Sequence, residues 1–362
     1  MNRSISRPAA RLSGAVGAAL LVIALSAVPA LACGGLIGPN GAVNLLQTTT
    51  LAAYHDGEEH YITAFQFAGG GGAFGSLTPL PGVPSKVEKG GDWTLQRLVR
   101  ETEPIPPGIF LEAAAGARDS AEVLMEVRID ALDVTVLRGG ADEVGRWAKE
   151  NGFRLPPDAP EVLEFYAERS PIFLAAVFDA DAAAERGQAV GDGTPVHVTI
   201  PTDNPWVPLR ILALGKTGEE RVDADVYLMT DRSPALLPTP TGDNGIRLDY
   251  SAWATASLLS DLRSDRGMEW VPSSAWLTKV AVDSAASGLT YDLAIDASGA
   301  GAPSRVDAGL ALPGAEQVAQ TVQSVASGID PARLLLAVVF SVAGILGVFL
   351  MTRFRPGGET RA

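Results

Sequence analysis

Residues 48–67 read TTTLAAYHDGEEHYITAFQF. Apolar and polar residues alternate on both sides of the central Asp56-Gly57 pair, over residues 48–54 and 61–67. An Asp-Gly pair between two alternating stretches is a strong signal for a tight β-hairpin. The segment therefore predicts two antiparallel strands, and it sets the expectation of a strand-rich fold.

Similar patterns continue along the chain. Runs of β-branched and apolar residues predict strands, and amphipathic runs bounded by Pro or Gly predict helices. The predicted strands are residues 123–127, 133–137, 172–178, 196–200, 209–214, 222–229, 277–282 and 291–295, and the predicted helices are residues 93–101, 142–151, 160–168 and 251–262. The expected fold class is α+β, strand-rich with a few helices.

Two local features refine this outline. Asp92 stands directly before the first predicted helix and is a candidate for its N-cap. Prolines occupy positions 79, 81 and 84. Because proline has no N–H to donate, residues 74–81 are predicted to form an edge strand that leads into a loop.

The N-terminus has the pattern of a secretory signal peptide. Three arginines precede an apolar stretch over residues 12–28, and Ala30-Leu31-Ala32 follows Pro29. A basic start, an apolar middle and an Ala-x-Ala end predict cleavage after Ala32. Cys33 then becomes the first mature residue. Lipidation of Cys33 stays open, since Ala30 stands where a lipobox usually has Leu. The alternative is a free or intermolecularly paired thiol.

A second apolar run covers residues 334–351. From Leu334 to Met351 its 18 residues carry no charge. At about 1.5 Å per residue they span about 27 Å, close to the hydrocarbon thickness of a bilayer. Arg353 and Arg355 follow the run. This arrangement predicts one transmembrane helix with a cytoplasmic C-terminus, by the positive-inside rule.

Together the two ends predict the layout of the whole chain. Residues 1–32 form a signal peptide, and residues 33–296 form an extracytoplasmic α+β domain. Residues 297–333, rich at first in Gly, Pro and small residues, form a linker and a juxtamembrane helix. Residues 334–351 span the membrane, and residues 352–362 form a cytoplasmic tail. The expected location is the cell membrane, with the bulk of the chain outside.

The composition excludes several classes of protein. Lys and Arg number 28 against 42 Asp and Glu, which gives a formal net charge of −14. An acidic surface repels phosphate backbones, so we expect no nucleic-acid partner. The single cysteine excludes an internal disulfide framework. Three histidines leave little room for a His-rich metal site, and we expect no cofactor.

Several stretches resemble a family of exported bacterial proteins known as domain of unknown function 2330. In chain order they are ACGG (32–35), YHDGEEHY (54–61), FGSLTPLP (74–81) with Pro84-Ser85, LDVTVL (132–137), GTP (193–195) and PLRI (208–211). The resemblance covers roughly residues 32–235. It implies a signal peptide, an outer domain and often a C-terminal span. It implies no activity and no substrate.

His55 and His60 are the candidates for a metal site. With a four-residue loop they would face each other across the hairpin, about 5 Å apart at Cβ. With a two-residue turn at Asp56-Gly57, His55 would instead pair with Glu58. The spacing of five, with a glycine inside, does not fit a metalloprotease helix. The sequence therefore predicts a solvated hairpin tip and no metal site.

No catalytic residue is predicted either. His197 lies on a predicted strand, and no Gly-x-Ser-x-Gly elbow accompanies it. Cys33 stands at the mature N-terminus, outside any strand-to-helix turn. Trp206, in the loop sequence Asn-Pro-Trp-Val-Pro, is a candidate contact for a glycan or peptide, although most tryptophans belong to a core.

The functional prediction follows from the membrane tether and from this lack of a catalytic pattern. We expect a membrane-anchored, non-enzymatic binding or scaffolding module of the cell envelope, with an envelope protein or glycan as partner. The alternative is an envelope hydrolase, metal-dependent or not, that uses His55, His60 or His197.

Overall fold

The computed structural model describes residues 35–38, 41–42, 48–66, 74–102, 123–185 and 193–313. The chain divides into two compact units, Met1–Gly309 and Leu310–Ala362. The predicted signal peptide, Cys33 and the predicted span at residues 334–351 lie outside the described residues. Within the described ranges, no helix is both long enough and apolar enough to cross a membrane.

The described part of the chain is rich in strands, as predicted. Its strands are β1 (Gly35–Gly38), β2 (Gly41–Ala42), β3 (Thr48–His55), β4 (Glu58–Gln66), β5 (Phe74–Pro79), β6 (Lys86–Lys89), β7 (Val123–Ile129), β8 (Leu132–Arg138), β9 (Ile172–Phe178), β10 (Gly193–Pro201), β11 (Trp206–Val207), β12 (Arg221–Thr230), β13 (Ala235–Leu237), β14 (Ile246–Trp253), β15 (Trp276–Ala285) and β16 (Leu293–Asp296). Its helices are α1 (Thr94–Thr102), α2 (Ala141–Glu150), α3 (Ala159–Ala167), α4 (Ala180–Glu185) and α5 (Ala256–Ser264). The strand-rich α+β class is therefore confirmed.

The predicted hairpin lies inside a seven-stranded sheet. The strand order is β14-β15-β12-β3-β4-β10-β6, and β12 and β3 run parallel. Asp56 and Gly57 both have positive φ, 50° and 83°, as in the tight turns that match strand twist. The two-residue alternative is confirmed, because His55 pairs with Glu58 and His60 lies opposite Ala53.

A six-stranded antiparallel sheet carries the order β2-β1-β5-β9-β8-β7. Its inward side chains share one hydrophobic core with one face of the seven-stranded sheet and with α2 and α3. A second, smaller core lies on the other face of the seven-stranded sheet, where α1 and α5 cover it. A three-stranded sheet, β11-β16-β13, completes the described strands.

The predicted edge strand at residues 74–81 is wrong. β5 is an inner strand that pairs with β9 on one side and β1 on the other. Pro79 is its last residue, and the described part of β1 lies opposite Gly75, Ser76 and Leu77. The proline therefore lies beyond the residues that pair with β1, where its missing N–H costs no ladder bond.

The predicted strand at residues 209–214 is also wrong. Residues Arg210–Ala213 form a single 3-10 turn. The N–H groups of Leu209 and Arg210 donate to Asp292 Oδ1 at 2.8 and 3.0 Å, and that of Ile211 donates to the Tyr166 hydroxyl at 2.9 Å. Side chains from distant segments thus take the donors that a strand would have paired.

The starts of two helices differ from the prediction, because side-chain hydrogen bonds cap these helices at other residues than expected. The predicted helix at 251–262 is a strand up to Trp253, and α5 starts only after Thr255, whose hydroxyl accepts from Leu258 N at 3.1 Å. At α1 the cap is not Asp92. Asp265 accepts the N–H groups of Asp92 and Trp93 at 3.0 and 2.9 Å and the hydroxyl of Thr94 at 2.8 Å.

Part of the predicted linker lies inside the first compact unit, which ends at Gly309. Ala308 is fully buried, and its carbonyl accepts the N–H of Asp292 at 3.1 Å. The carbonyl of Asp307 accepts from the Arg169 guanidinium at 2.6 Å. Residues 304–309 therefore belong to the body that holds the three-stranded sheet.

Candidate functional site

The three histidines lie on adjacent strands of the seven-stranded sheet, on β3, β4 and β10. The register places Thr199 opposite His60 and Ile62 opposite His197. His60 and His197 are therefore diagonal neighbours on one face. Their rings meet: Nδ1 of His60 and Nε2 of His197 are 2.9 Å apart, and the ring centroids are 5.1 Å apart. No pattern in the sequence links these two residues, which are 137 positions apart.

Two further side chains complete this histidine pair. Trp270 stacks flat on His60, with ring centroids 3.8 Å apart and planes 3° apart. Oε1 of Glu88 lies 3.4 Å from Nδ1 of His197, and Lys86 pairs with the same oxygen at 2.7 Å. In the contact between the two rings one nitrogen donates and the other accepts, according to the tautomers, and Nδ1 of His197 has no hydrogen-bond partner among the described residues.

Both rings are neutral at pH 7. Burial, and then the neighbouring His197, lower the pKa of His60 to about 3. Burial, and then Lys86, lower the pKa of His197 to about 4. The hydrogen bond between the half-buried His60 and the buried His197 joins β4 to β10 through two neutral side chains.

The pair as it stands is too close for a metal ion. The two nitrogen atoms point at each other across 2.9 Å. A tetrahedral zinc ion bound to both nitrogen atoms, at about 2.0 Å from each, would hold them about 3.3 Å apart. Among the described residues, no group of three or more His, Cys, Asp or Glu side chains is placed to hold a metal ion.

His55 lies apart from this pair, at the rim of a cleft. Its Nδ1 is 2.7 Å from Oδ1 of Asp231, and its Nε2 is 3.3 Å from Oδ2 of Asp56. The imidazole thus bridges the tip of the β3–β4 hairpin to the end of β12. Among the contacts of the described residues, the ring of His55 pairs with Asp56 and Asp231, whereas that of His197 pairs with His60.

The cleft has a volume of about 440 Å³. Four chain segments form its walls: the hairpin tip, the loop after β10, the end of β12 and the loop after β16. Its lining is notable for charged and aromatic side chains, namely Tyr54, Asp56, Asp203, Asp231, Arg232 and Asp296. Four aspartates and one arginine thus line the cleft, which is acidic.

Hydrogen bonds fix the walls. The Tyr54 hydroxyl donates to Thr202 O at 3.0 Å, and Thr202 N donates to Gly57 O at 3.1 Å. Asp296 accepts from Ser298 N at 2.8 Å and from Ala302 N at 3.0 Å. Burial alone would raise the pKa of Asp296, but the hydrogen bonds from the Ser298 hydroxyl and from backbone N–H groups outweigh it and hold the pKa below its usual value. These hydrogen bonds therefore tie the walls of the cleft to one another and keep Asp296 ionised at neutral pH.

A buried carboxyl lies directly behind one wall. Glu59 is 0% exposed, and it pairs across the strands with Tyr54. Its Oε2 accepts from Trp206 N at 3.3 Å, next in the chain to the lining residue Pro205. Its Oε1 has no hydrogen-bond partner within the described residues. Burial raises the pKa of Glu59 to about 8, although the hydrogen bond from Trp206 lowers it in part.

Most of this site was invisible to sequence reasoning. Asp203, Asp231 and Asp296 are single acids in a chain with 42 of them, and no spacing marks them out. Trp206, a candidate contact for a glycan or peptide, is instead in the core, as most tryptophans are: it is 1% exposed and stacks with Tyr166, with centroids 5.9 Å apart. The one usable signal was the hairpin itself, whose tip carries Asp56 and Tyr54.

Comparison with solved structures gives weak likenesses only. The chain overlaps the crystal structure of baculovirus P35 with a TM-score of 0.36 and 11% identity, over 69% of this chain and 96% of that one. For a mutated baculovirus P35 after caspase cleavage the values are 0.38, 8%, 69% and 98%. For the caspase-8/P35 complex they are 0.32, 11%, 69% and 90%. Likenesses this low support no argument about fold or function.

No curated protein sequence matches the chain. The sequence model of domain of unknown function 2330, described as an uncharacterized protein conserved in bacteria, matches residues 27–295. That match covers most of the chain, including both large sheets and most of the cleft. It also confirms the resemblance carried by the hairpin and proline motifs. The chain therefore belongs to the bacterial family of domain of unknown function 2330.

Proposed function

We propose that this protein is a membrane-tethered binding module of the cell envelope, and that the acidic cleft is its ligand site. The observation that carries the proposal is the cleft itself. It is concave, acidic and walled by hydrogen-bonded loops from four segments, and such pre-formed pockets are the usual place for a ligand. The cell-envelope location rests on the predicted signal peptide and on the predicted span at residues 334–351.

The surroundings of the histidines favour binding over hydrolysis. His55 is held by Asp231, and His60 and His197 are held by each other. The hydroxyl of Thr199 lies 3.5 Å from Nε2 of His197, and Thr199 is 7% exposed. A nucleophile needs both a base and access to substrate. The neutral imidazoles supply a base, but the buried Thr199 hydroxyl has little access to substrate, so the pair does not favour the hydrolase alternative.

Blocking the cleft tests the ligand site. Ala300 lines the cleft and is exposed, so Ala300→Trp fills the cavity with little effect on the core. We expect the full-length protein to recover a ligand from a bacterial envelope extract, and Ala300→Trp to reduce that recovery at least tenfold. Mass spectrometry of the bound fraction measures the recovery.

The matched control is Ala256→Trp, an exposed position at the start of α5, on the other face of the seven-stranded sheet. It should bind as the unchanged protein does. Equal recovery by all three proteins would show that the cleft is not the ligand site.

The membrane tether makes a separate prediction. The full-length protein should fractionate with membranes, because residues 334–351 are apolar and long enough to span the bilayer. Protease added to spheroplasts should remove its bulk and spare only a short C-terminal fragment. A protein that ends at residue 312 should be soluble in the same preparation. Full-length chain in the soluble fraction would refute the topology.

A further inference from the structure

Building on the proposed function, we propose that the cleft binds a ligand through a primary ammonium group, and that Glu59 releases its proton when that group binds. The two halves of the proposal rest on different observations. The charge of the lining selects the cation. The buried carboxyl behind the wall couples its binding to a proton.

The charge of the lining excludes anionic ligands. Asp56, Asp203, Asp231 and Asp296 stand against Arg232. Asp296 is held by two backbone N–H groups, and the side chains of Asp56 and Asp231 are 88% and 48% exposed. Carboxylates gathered around a concave surface raise the local concentration of cations and repel anions.

An organic cation fits better than a metal ion. A volume of about 440 Å³ is far larger than a bare ion needs. Metal ions of the calcium type take six to eight oxygen ligands at about 2.4 Å, and no described group of acids or histidines is placed so closely. The ring of Tyr54 also lines the cleft, and an ammonium group is attracted to an aromatic face.

Glu59 is the group that loses a proton when the ammonium group binds. Its carboxyl lies behind the wall at Pro205 and Trp206, and its cross-strand neighbour is Tyr54. Burial, then the charge of Asp203 and then that of Glu59, raise the pKa of Tyr54, so these carboxyls act on an atom of the lining. The carboxylate form is stabilised only in part, because Trp206 N donates to Oε2 while Oε1 has no hydrogen-bond partner among the described residues.

A bound ammonium group changes that balance. A positive charge close to a buried carboxyl favours its ionised form. The carboxylic acid of Glu59 then becomes a carboxylate, and its proton passes to the solvent. Below about pH 8 the free protein holds this proton, so binding and proton release are linked. The affinity for the amine should therefore rise as the pH rises towards 8.

Titration calorimetry of the full-length protein in detergent tests both halves. The probes are 1,5-diaminopentane, N-acetyl-lysine amide and the neutral analogue 1,5-pentanediol, each at pH 7 in two buffers of different ionisation enthalpy. We expect both amines to bind and the diol not to bind. The buffer dependence should report between about 0.5 and 1 proton released per amine bound. Preference for the diamine points to a free polyamine, and preference for the lysine derivative points to a peptide side chain.

Variants separate the two halves. Asp203→Asn combined with Asp231→Asn should weaken amine binding at least tenfold. Glu59→Gln should still bind the amine but release no proton. Equal binding of diol and diamine, or tighter binding of calcium than of either amine, would overturn the ammonium assignment. Amine binding without proton release would overturn the role of Glu59.

Failure of the ammonium proposal can be distinguished from failure of the proposed binding function. If no amine binds, yet Ala300→Trp still abolishes recovery of a ligand from the envelope extract, the cleft is a binding site of another chemistry. If neither probe nor extract yields a ligand, the proposed function itself fails.

Discussion

Replacing Asp292 with alanine is expected to destabilise the folded protein by about 3–5 kcal/mol. Asp292 is fully buried, and its Oδ2 pairs with the Arg169 guanidinium at 2.7 Å. Its Oδ1 accepts from the Tyr166 hydroxyl at 2.9 Å and from the N–H groups of Leu209 and Arg210. Alanine would leave a buried cation and three buried donors without their acceptor, and each such loss is costly.

Urea unfolding of the purified protein, followed by tryptophan fluorescence, measures this effect. Asp292→Asn keeps an acceptor for the backbone donors and should lose less stability than the alanine variant. The matched control is Asp283→Ala, which removes an exposed ion pair with Arg221 and should change stability by less than about 1 kcal/mol. A loss below about 1 kcal/mol for Asp292→Ala would show that the network does not stabilise the fold.

Glu59→Gln should act in the opposite direction and stabilise the protein at alkaline pH. The pKa of Glu59 is about 8 in the folded protein and close to 4.5 in an exposed chain. The folded state therefore keeps a proton that the unfolded state loses between those values, and folding becomes less favourable as the pH rises. Each unit of pKa difference corresponds to about 1.4 kcal/mol. Glutamine does not titrate, keeps the size of the side chain and still accepts from Trp206 N.

We expect Glu59→Gln to exceed the unchanged protein in stability by about 4 kcal/mol at pH 8, and to match it near pH 4.5. Unfolding curves at both pH values measure the difference. Glu150→Gln, an exposed change at the end of α2, should stay within about 0.5 kcal/mol at either pH. A destabilised Glu59→Gln, or a gain that does not depend on pH, would contradict the assignment of Glu59 as a neutral buried acid.

Sequence patterns predicted an element correctly where the residues that define the element are close together in the chain. The hairpin at Asp56-Gly57, the strand Ile172–Phe178 and the helices α2 and α3 form close to where they were predicted. Alternation, turn residues and helix-stopping residues act within a few positions of each other, so the sequence states them directly. Errors arose where a distant side chain intervened. Asp292 and Tyr166 turned residues 210–213 into a 3-10 turn, and Asp265 took the place of Asp92 as the cap of α1.

The candidate site depends even more on contacts between residues that are distant in the sequence. His60 and His197 are 137 positions apart, and only the register between β4 and β10 makes them neighbours. The cleft joins four loops that follow different strands. Glu59 has a raised pKa because it is buried behind one of these loops. No pattern along the chain indicates which distant strands pair. Their pairing requires closure of long loops, and that closure is stabilised only by packing between whole sheets.

The sequence by itself determined the acidic charge, the family, the strand-rich class and the prediction of a tethered envelope protein. These follow from composition, motif order and periodicity, which are properties of the chain. The tertiary structure alone decided which acids gather into a cleft, which histidines pair and which carboxyl stays protonated. Those outcomes depend on desolvation and on distances between remote residues, and both are set only when the two sheets close on their shared core.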